Sequence, residues 1–239
     1  MDQFARTRIV LGNDAVEMLA KSTVAVFGVG GVGGYVAEAL ARSGVGYFYL
    51  IDKDTVSLTN INRQIIATHS TVGRSKTEVM KERILDINPD AVVEIFDKFF
   101  LPENSSEFPF DKFDYVVDAV DTVTAKIELA LKCRDMNIPI ISSMGASNKV
   151  NPCEFKVADI YSTKVCPLAK VMRRELKKRD VKKLKVVYSE ELPREAKYSA
   201  SDEEVPQGKK TVPGSVAFVP SVAGLVIASE VIKDITGGY

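Results

Sequence analysis

The sequence predicts an α/β protein, a Rossmann-like doubly wound and mostly parallel sheet, on three observations. Short apolar, β-branched runs alternate with segments of helical period over residues 1–145. A glycine-dense turn, Gly28 to Gly34, follows the first of those runs and opens a helix. The second run ends on an aspartate, Asp52, where such a sheet meets its ligand.

Taken in order, Asn13 predicts the N-cap of a first helix over 13–22, with Val16, Leu19 and Ala20 on its inner face. Strand 23–27 (TVAVF) leads through the glycines into helix 35–43, and strand 46–51 (GYFYLI) follows. Helix 76–87 stops at Asn88-Pro89, because the residue before a proline is pushed out of helical geometry. Strands 92–96 and 114–117, helix 122–136 and strand 139–142 continue the alternation. Between them, residues 98–112 carry prolines and an Asn-Ser-Ser cluster and read as a loop with one helical turn.

Beyond residue 145 the pattern changes. A strand is expected at 155–158 and an amphipathic basic helix at 168–179, with Pro167 in its first turn. A charged, apolar-poor stretch at 190–210 reads as a mobile surface loop, and a buried helix is expected at 221–234. The uncharged run 212–229 approaches spanning length, but Pro213, Gly214, Pro220 and Gly224 interrupt it. One domain over 1–239 is expected, with a nucleotide-binding half at 1–145 and a substrate-binding, C-terminal half at 146–239.

Composition narrows the class. With 46% hydrophobic side chains in 239 residues the chain can bury a large core. Lys plus Arg and Asp plus Glu both number 32, so an electrostatic partner must meet a local patch. Cys133, Cys153 and Cys166 form no C-x-x-C pair, and the N-terminal apolar run is too short for a signal peptide. The expected compartment is the cytoplasm, with no membrane association. His69, the single histidine, sits in a Thr-His-Ser loop and supports no metal site.

Gly28, Gly30, Gly31 and Gly33 stand where backbone N–H groups can approach a phosphate or ribose at a helix N-terminus. With Asp52 ready to accept from ribose hydroxyls, a nicotinamide dinucleotide fits this much as well as a triphosphate does. The next stretch, Asn60-Ile61-Asn62-Arg63-Gln64 and later Lys76, suits a triphosphate. Arg63 and Lys76 can hold the β and γ phosphates while Asn60 or Asn62 donates to the α phosphate. Asp118 and Asp121 lie at the carboxyl end of a strand, where an oxygen ligand can hold the Mg²⁺ that accompanies ATP. The competing reading makes Asp121 only the cap of the helix from Thr122, with Asp118 capping a neighbouring loop.

The glycine run, IDKDTVSLTNINRQ, VGRSK and DAVD together resemble the ThiF/HesA superfamily of ubiquitin-activating-enzyme-like adenylyltransferases. Within it, ARTRIVLG, the spacing from Leu58 to Gln64 and VCPLAKVMRRELKKR are most similar to the tRNA threonylcarbamoyladenosine dehydratases, and the likeness spans nearly the whole chain. The resemblance implies that Gly31, Asp52, Asn60, Arg63, Lys76 and Asp121 contact ATP or its metal. It also implies a homodimer in which Arg6 reaches the γ phosphate bound by the neighbouring subunit. The implied chemistry is attack of a threonine carboxylate on the α phosphate, then ring closure by the tethered urea.

Two further features bear on partners. From Lys164 to Lys185 ten basic residues face Glu175 and Asp180, a footprint suited to an RNA backbone and equally to a solvated helix face. The candidates for RNA are Lys170, Arg173, Arg174, Lys177, Lys178, Arg179 and, in the loop, Arg194 and Lys197. Sulfur-carrier adenylyltransferases of the same superfamily typically carry two C-x-x-C zinc pairs, which are absent here; activation of a carrier's C-terminal Gly-Gly is the alternative function, and an NAD-binding redox module a third. Cys166, before Pro167 at a helix start, reads as a buried thiol or a reactive one. Nothing in the sequence names a sulfur-transfer or reductase partner.

Overall fold

The computed structural model describes residues 2–195 and 213–238. Seven strands form one sheet in the order β3-β2-β1-β4-β5-β7-β6. They are β1 Thr23–Phe27, β2 Tyr47–Ile51, β3 Val92–Phe96, β4 Tyr115–Asp118, β5 Ile140–Ser143, β6 Phe155–Asp159 and β7 Lys185–Ser189. All pair in parallel except β6, which runs antiparallel to β7 as an edge. The chain winds outward from β1 to β3 and then returns to start β4 on the other side of β1, so a crevice opens at the carboxyl ends of β1 and β4.

The seven helices among the described residues are α1 Ala5–Leu11, α2 Asn13–Lys21, α3 Gly33–Ser43, α4 Lys76–Ile87, α5 Val123–Met136, α6 Pro167–Lys178 and α7 Phe218–Thr236. One face of the sheet buries Val24, Val26, Phe48 and Leu50 against α3, α4 and α7, through Val36, Leu40, Met80, Ile84 and Ile227. The other buries Ala25 and Phe27 under Leu129 and Cys133 of α5 and a cluster of phenylalanines. Phe27 meets the Phe100 ring edge-on at 5.0 Å, and Phe110 lies stacked at 5.8 Å. These rings come from the 98–112 connection, which forms short 3-10 turns at Pro102–Glu107 and Phe110–Lys112. The connection is thus a lid on the core as well as a link, because its phenylalanines replace the apolar stripe a crossover helix would supply.

Several boundaries differ from expectation for local reasons. Gly12, with φ at 87°, takes the N-cap position of α2, and Asn13 is the first helical residue. Ala15, Val16 and Leu19 are buried while Ala20 faces out. α7 begins at Phe218 and carries Pro220 inside its first turn, where a missing N–H leaves no helix bond unmade. α5 takes Thr122 as its N-cap, so Asp121 lies outside the helix.

The sequence pattern also misses two elements, α1 and β7. α1 buries no residue, so it has no apolar face to give it away, and Ile9 and Val10 are 84% and 79% exposed. β7 is a short apolar run with lysines before it and glutamates after it, yet it inserts between β5 and β6. No helix among the described residues is long and apolar enough to cross a membrane. The expected mobile loop lies for the most part, at 196–212, outside the described residues, and Lys197 with it.

Candidate nucleotide site

The crevice is built from the glycine turn upward. Gly28 N–H donates to Ile51 O at 2.7 Å and bends the chain out of β1 with φ at 89°. A Cβ on Gly33 would lie 1.8 Å from Gly28 O, so only glycine lets α3 start this close to the strand end. The turn's amides therefore face the crevice beside the positive end of α3.

Asp52 lies at the tip of β2. One carboxylate oxygen accepts the Val29 N–H at 2.7 Å and the other the Asp54 N–H at 2.9 Å. The half-buried carboxylate is thereby fixed beside the first amide of the turn, and its remaining lone pairs are available to hydroxyl donors.

The segment 57–65 folds back over the turn. Ser57 and Asn60 form a reciprocal capping pair, with Asn60 Oδ1 accepting from the Ser57 N–H at 3.1 Å. Asn60 is consequently buried and oriented by its own loop. Asn62 is spent on the protein: its Nδ2 donates to Ser215 O at 2.9 Å and its Oδ1 accepts from Arg63. That ties the C-terminal segment to this loop.

Arg63 rests its stem near Gly31, where an added Cβ would be 3.6 Å from Arg63 Cγ. Its Nη1 donates to Thr59 O and Asn62 Oδ1, both neutral, and no carboxylate lies within ion-pair distance among the described residues. Burial lowers its pKa from the ordinary value. A half-buried guanidinium without a counter-charge is a strong site for an anion. Gln64 borders Gly30 and is buried with its Oε1 lacking any hydrogen-bond partner among the described residues. An unsatisfied acceptor of this kind is costly unless a ligand donates to it.

Lys76 opens α4 and is held at 2.9 Å by Asp54, which places a buried ammonium next to the Asp52 loop. Asp121 is exposed beyond the loop 119–120, and that loop lies on the glycine turn, with Ala119 O only 2.7 Å from where a Gly28 Cβ would be. Asp118 is different. It stands at the predicted strand end, but its carboxylate points inward, fully buried, receiving Lys126 Nζ at 3.0 Å, the Ser142 hydroxyl and the Val120 N–H. Both of its oxygens are engaged in holding β4, β5 and α5 together, which corrects the expectation that it faces the nucleotide.

Arg6 is exposed on α1 and makes no hydrogen bond or ion pair among the described residues. On α6 the basic residues divide. Arg174, Lys178 and Arg179 converge on Glu175 at 2.9 to 3.1 Å, and Arg173 folds onto Thr163. Lys170 and Lys177 are exposed. Arg194 lies 3.7 Å from Glu191. Cys166 and Cys133 are both buried, and burial pushes the Cys133 thiol up. His69 is exposed.

The residue that sequence reasoning missed is Lys126. A lysine in mid-helix reads as solvent-facing, yet it lies on the same stripe as Leu129, Ala130 and Cys133, all buried. That spacing was the available signal.

Comparison with known proteins agrees with this geometry. The tRNA threonylcarbamoyladenosine dehydratase of Bacillus subtilis (strain 168) is 47% identical over 241 residues, covering 98% of this chain and 95% of that protein. The Escherichia coli (strain K12) protein of the same name is 41% identical over 175 residues, 73% of this chain and 65% of that one. The crystal structure of the E. coli tRNA N6-threonylcarbamoyladenosine dehydratase in complex with ATP superposes with a TM-score of 0.86 at 34% identity, over 98% of this chain and 94% of that one. The ThiF family matches residues 4–238, and the chain belongs to that family.

Proposed function

We propose that this protein uses ATP to dehydrate threonylcarbamoyladenosine in tRNA to its cyclic form through an acyl-adenylate. The observation that carries the reading is Arg63, half-buried, without a carboxylate partner among the described residues and seated against the glycine turn. Together with Lys76 at the start of α4 it offers two cations to one phosphate chain, which suits a triphosphate better than a dinucleotide's pyrophosphate.

In this reading the ribose binds Asp52 and the amides of Gly28 to Gly33 face the phosphates. Gln64 Oε1, unsatisfied in the protein, accepts a donor from the nucleotide. Arg63 binds the departing phosphates, and Lys76 exchanges Asp54 for the outer one. Asn60, buried and oriented by Ser57, lies beneath the α phosphate. Both cations stabilise charge that grows as the threonine carboxylate attacks the α phosphorus and pyrophosphate leaves. The tethered urea then attacks the activated carbonyl, AMP departs with the former carboxylate oxygen, and the ring closes. No enzyme nucleophile is needed, because the reacting groups are already linked. Asp121, an exposed carboxylate beside the glycine turn, would be the protein's oxygen ligand to a Mg²⁺ held otherwise by the phosphates, and such an ion would neutralise phosphate charge.

The composite site needs a second copy, with Arg6 entering from the partner across a two-fold interface. Support comes from Ile9 and Val10 beside it, exposed on a helix that buries nothing within one chain. Mass spectrometry of nucleosides from tRNA treated with protein and ATP tests the proposal. Loss of one water from the threonylcarbamoyl nucleoside is expected; an unchanged nucleoside alongside adenylation of a carrier protein would reject it.

A further inference from the structure

We propose that the cleft between α5 and α6 seats an unpaired RNA nucleotide next to the modified adenosine, with its base on the cleft floor and its phosphate on the arginines of α6. The proposal rests on the tRNA reading above and specifies where the RNA lies.

The cleft encloses about 440 Å³, within the roughly 300–1,000 Å³ of small-ligand sites. Its floor is an apolar stripe: Val123, Ile127 and Leu131 recur every fourth residue of α5, and Val171 faces them from α6. All four are only half-buried, so the stripe is left partly uncovered by the protein. Arg174 and Arg179 line the cleft together with Glu175 and, from α5, Glu128, so the positive charge comes from α6 as a whole and not from the lining alone.

Position argues for RNA. Val123 and Thr124 line the cleft and follow Asp121 by two and three residues, so one end of it lies at the start of α5, just past the carboxyl end of β4. A nucleotide flanking the reacting adenosine must leave the crevice by some such path. Charge argues the same way. α6 carries Lys170, Arg173, Arg174, Lys177 and Lys178, with Arg179 at its end and Glu175 as its one acid. That carboxylate receives Arg174, Lys178 and Arg179 at once, held at a pKa of about 2 first by Lys178 and then by Arg179. A phosphate arriving here competes with that carboxylate for the three cations, while the guanidinium planes can stack on a base.

The test uses threonylcarbamoyl-modified tRNA carrying 4-thiouridine beside the modified adenosine, cross-linked to the full chain and mapped by mass spectrometry. Cross-links within 123–136 or 167–179 are expected. Cross-links confined elsewhere overturn the proposal while leaving the tRNA reading intact. Binding gives a second arm. Leu131→Glu puts a charge on the floor and should weaken tRNA about tenfold or more, the size of one lost base-stacking contact. Glu175→Gln frees three cations and should tighten tRNA and steepen its salt dependence by about one unit of slope. Wild-type affinity in both variants, with nucleotide binding retained, rejects the cleft. If the wild type binds no tRNA but an acidic peptide occupies the cleft, both this proposal and the tRNA reading fail.

Discussion

Asp118 and Lys126 face each other at 3.0 Å with neither side chain more than 1% exposed. The pair joins the ends of β4 and β5 to α5, since Lys126 also donates to Ser143 O at 2.7 Å. Lys126→Met should leave a buried carboxylate without its counter-charge and destabilise the fold by about 3–5 kcal/mol, whereas Asp118→Asn with Lys126→Met should recover part of that loss. Urea denaturation of the single and double variants decides. A single variant within about 1 kcal/mol of wild type would mean the pair contributes no more than a surface ion pair.

Arg63→Ala should lower turnover about a hundredfold or more, the usual size of losing one charge stabiliser in a transition state, with little change in thermal midpoint. Among the described residues Arg63 has no carboxylate partner to leave stranded, so stability is expected to survive. Steady-state kinetics alongside thermal melts would settle it, and retained turnover would remove Arg63 from the phosphate site.

Asp52→Ala removes a charge-assisted acceptor and should weaken ATP binding by about 1.5–3 kcal/mol, measured by titration calorimetry. Part of the loss comes from Val29, whose N–H loses its acceptor. An unaltered affinity would exclude Asp52 from the ribose.

Mixing two inactive proteins tests the shared site. Arg6→Ala and Arg63→Ala, once their subunits exchange, form mixed dimers with one intact composite site. Random exchange in an isologous dimer should restore about one quarter of wild-type activity. No recovery after confirmed exchange would place Arg6 outside the partner's site.

Glu175 gives a pH signature. Its folded pKa of about 2 lies below the roughly 4.3 of an unfolded glutamate, so its ion pairs stabilise the fold fully above that range. The contribution fades as pH falls toward 2. A thermal midpoint difference between wild type and Glu175→Gln, present at neutral pH and absent near pH 2, is expected. A difference independent of pH would point to packing instead.

Much of the fold was legible because parallel strands buried on both faces write continuous apolar runs. β1 falls on its predicted limits for that reason, whereas α4 does so because Asn88-Pro89 ends it and β3, an edge strand, because its β-branched and apolar run is short and bounded. The glycine turn was legible because no other residue fits where Gly33 meets Gly28 O. α1 was illegible because only Leu11 packs on the core while Ile9 and Val10 stay exposed, and β7 because lysines lead into it and glutamates follow it. Asp118 misled because a strand-end aspartate looks the same in sequence whether it turns toward ligand or core. Only the position of Lys126, eight residues on along α5's buried stripe, distinguishes the two.

The last helix is the backing plate of the first loop. Pro220 lies against Gly31, where an added Cβ would come within 3.2 Å of it, and a Cβ on Gly224 would strike Val32 O at 2.5 Å. A nascent chain that has emerged only through β5 holds every strand residue that borders the crevice and still lacks the surface that presses the phosphate loop into shape. Competence to bind nucleotide should therefore wait until α7 has been made, so that intermediates lacking it cannot capture ATP and its deletion disables a site nearly two hundred positions away.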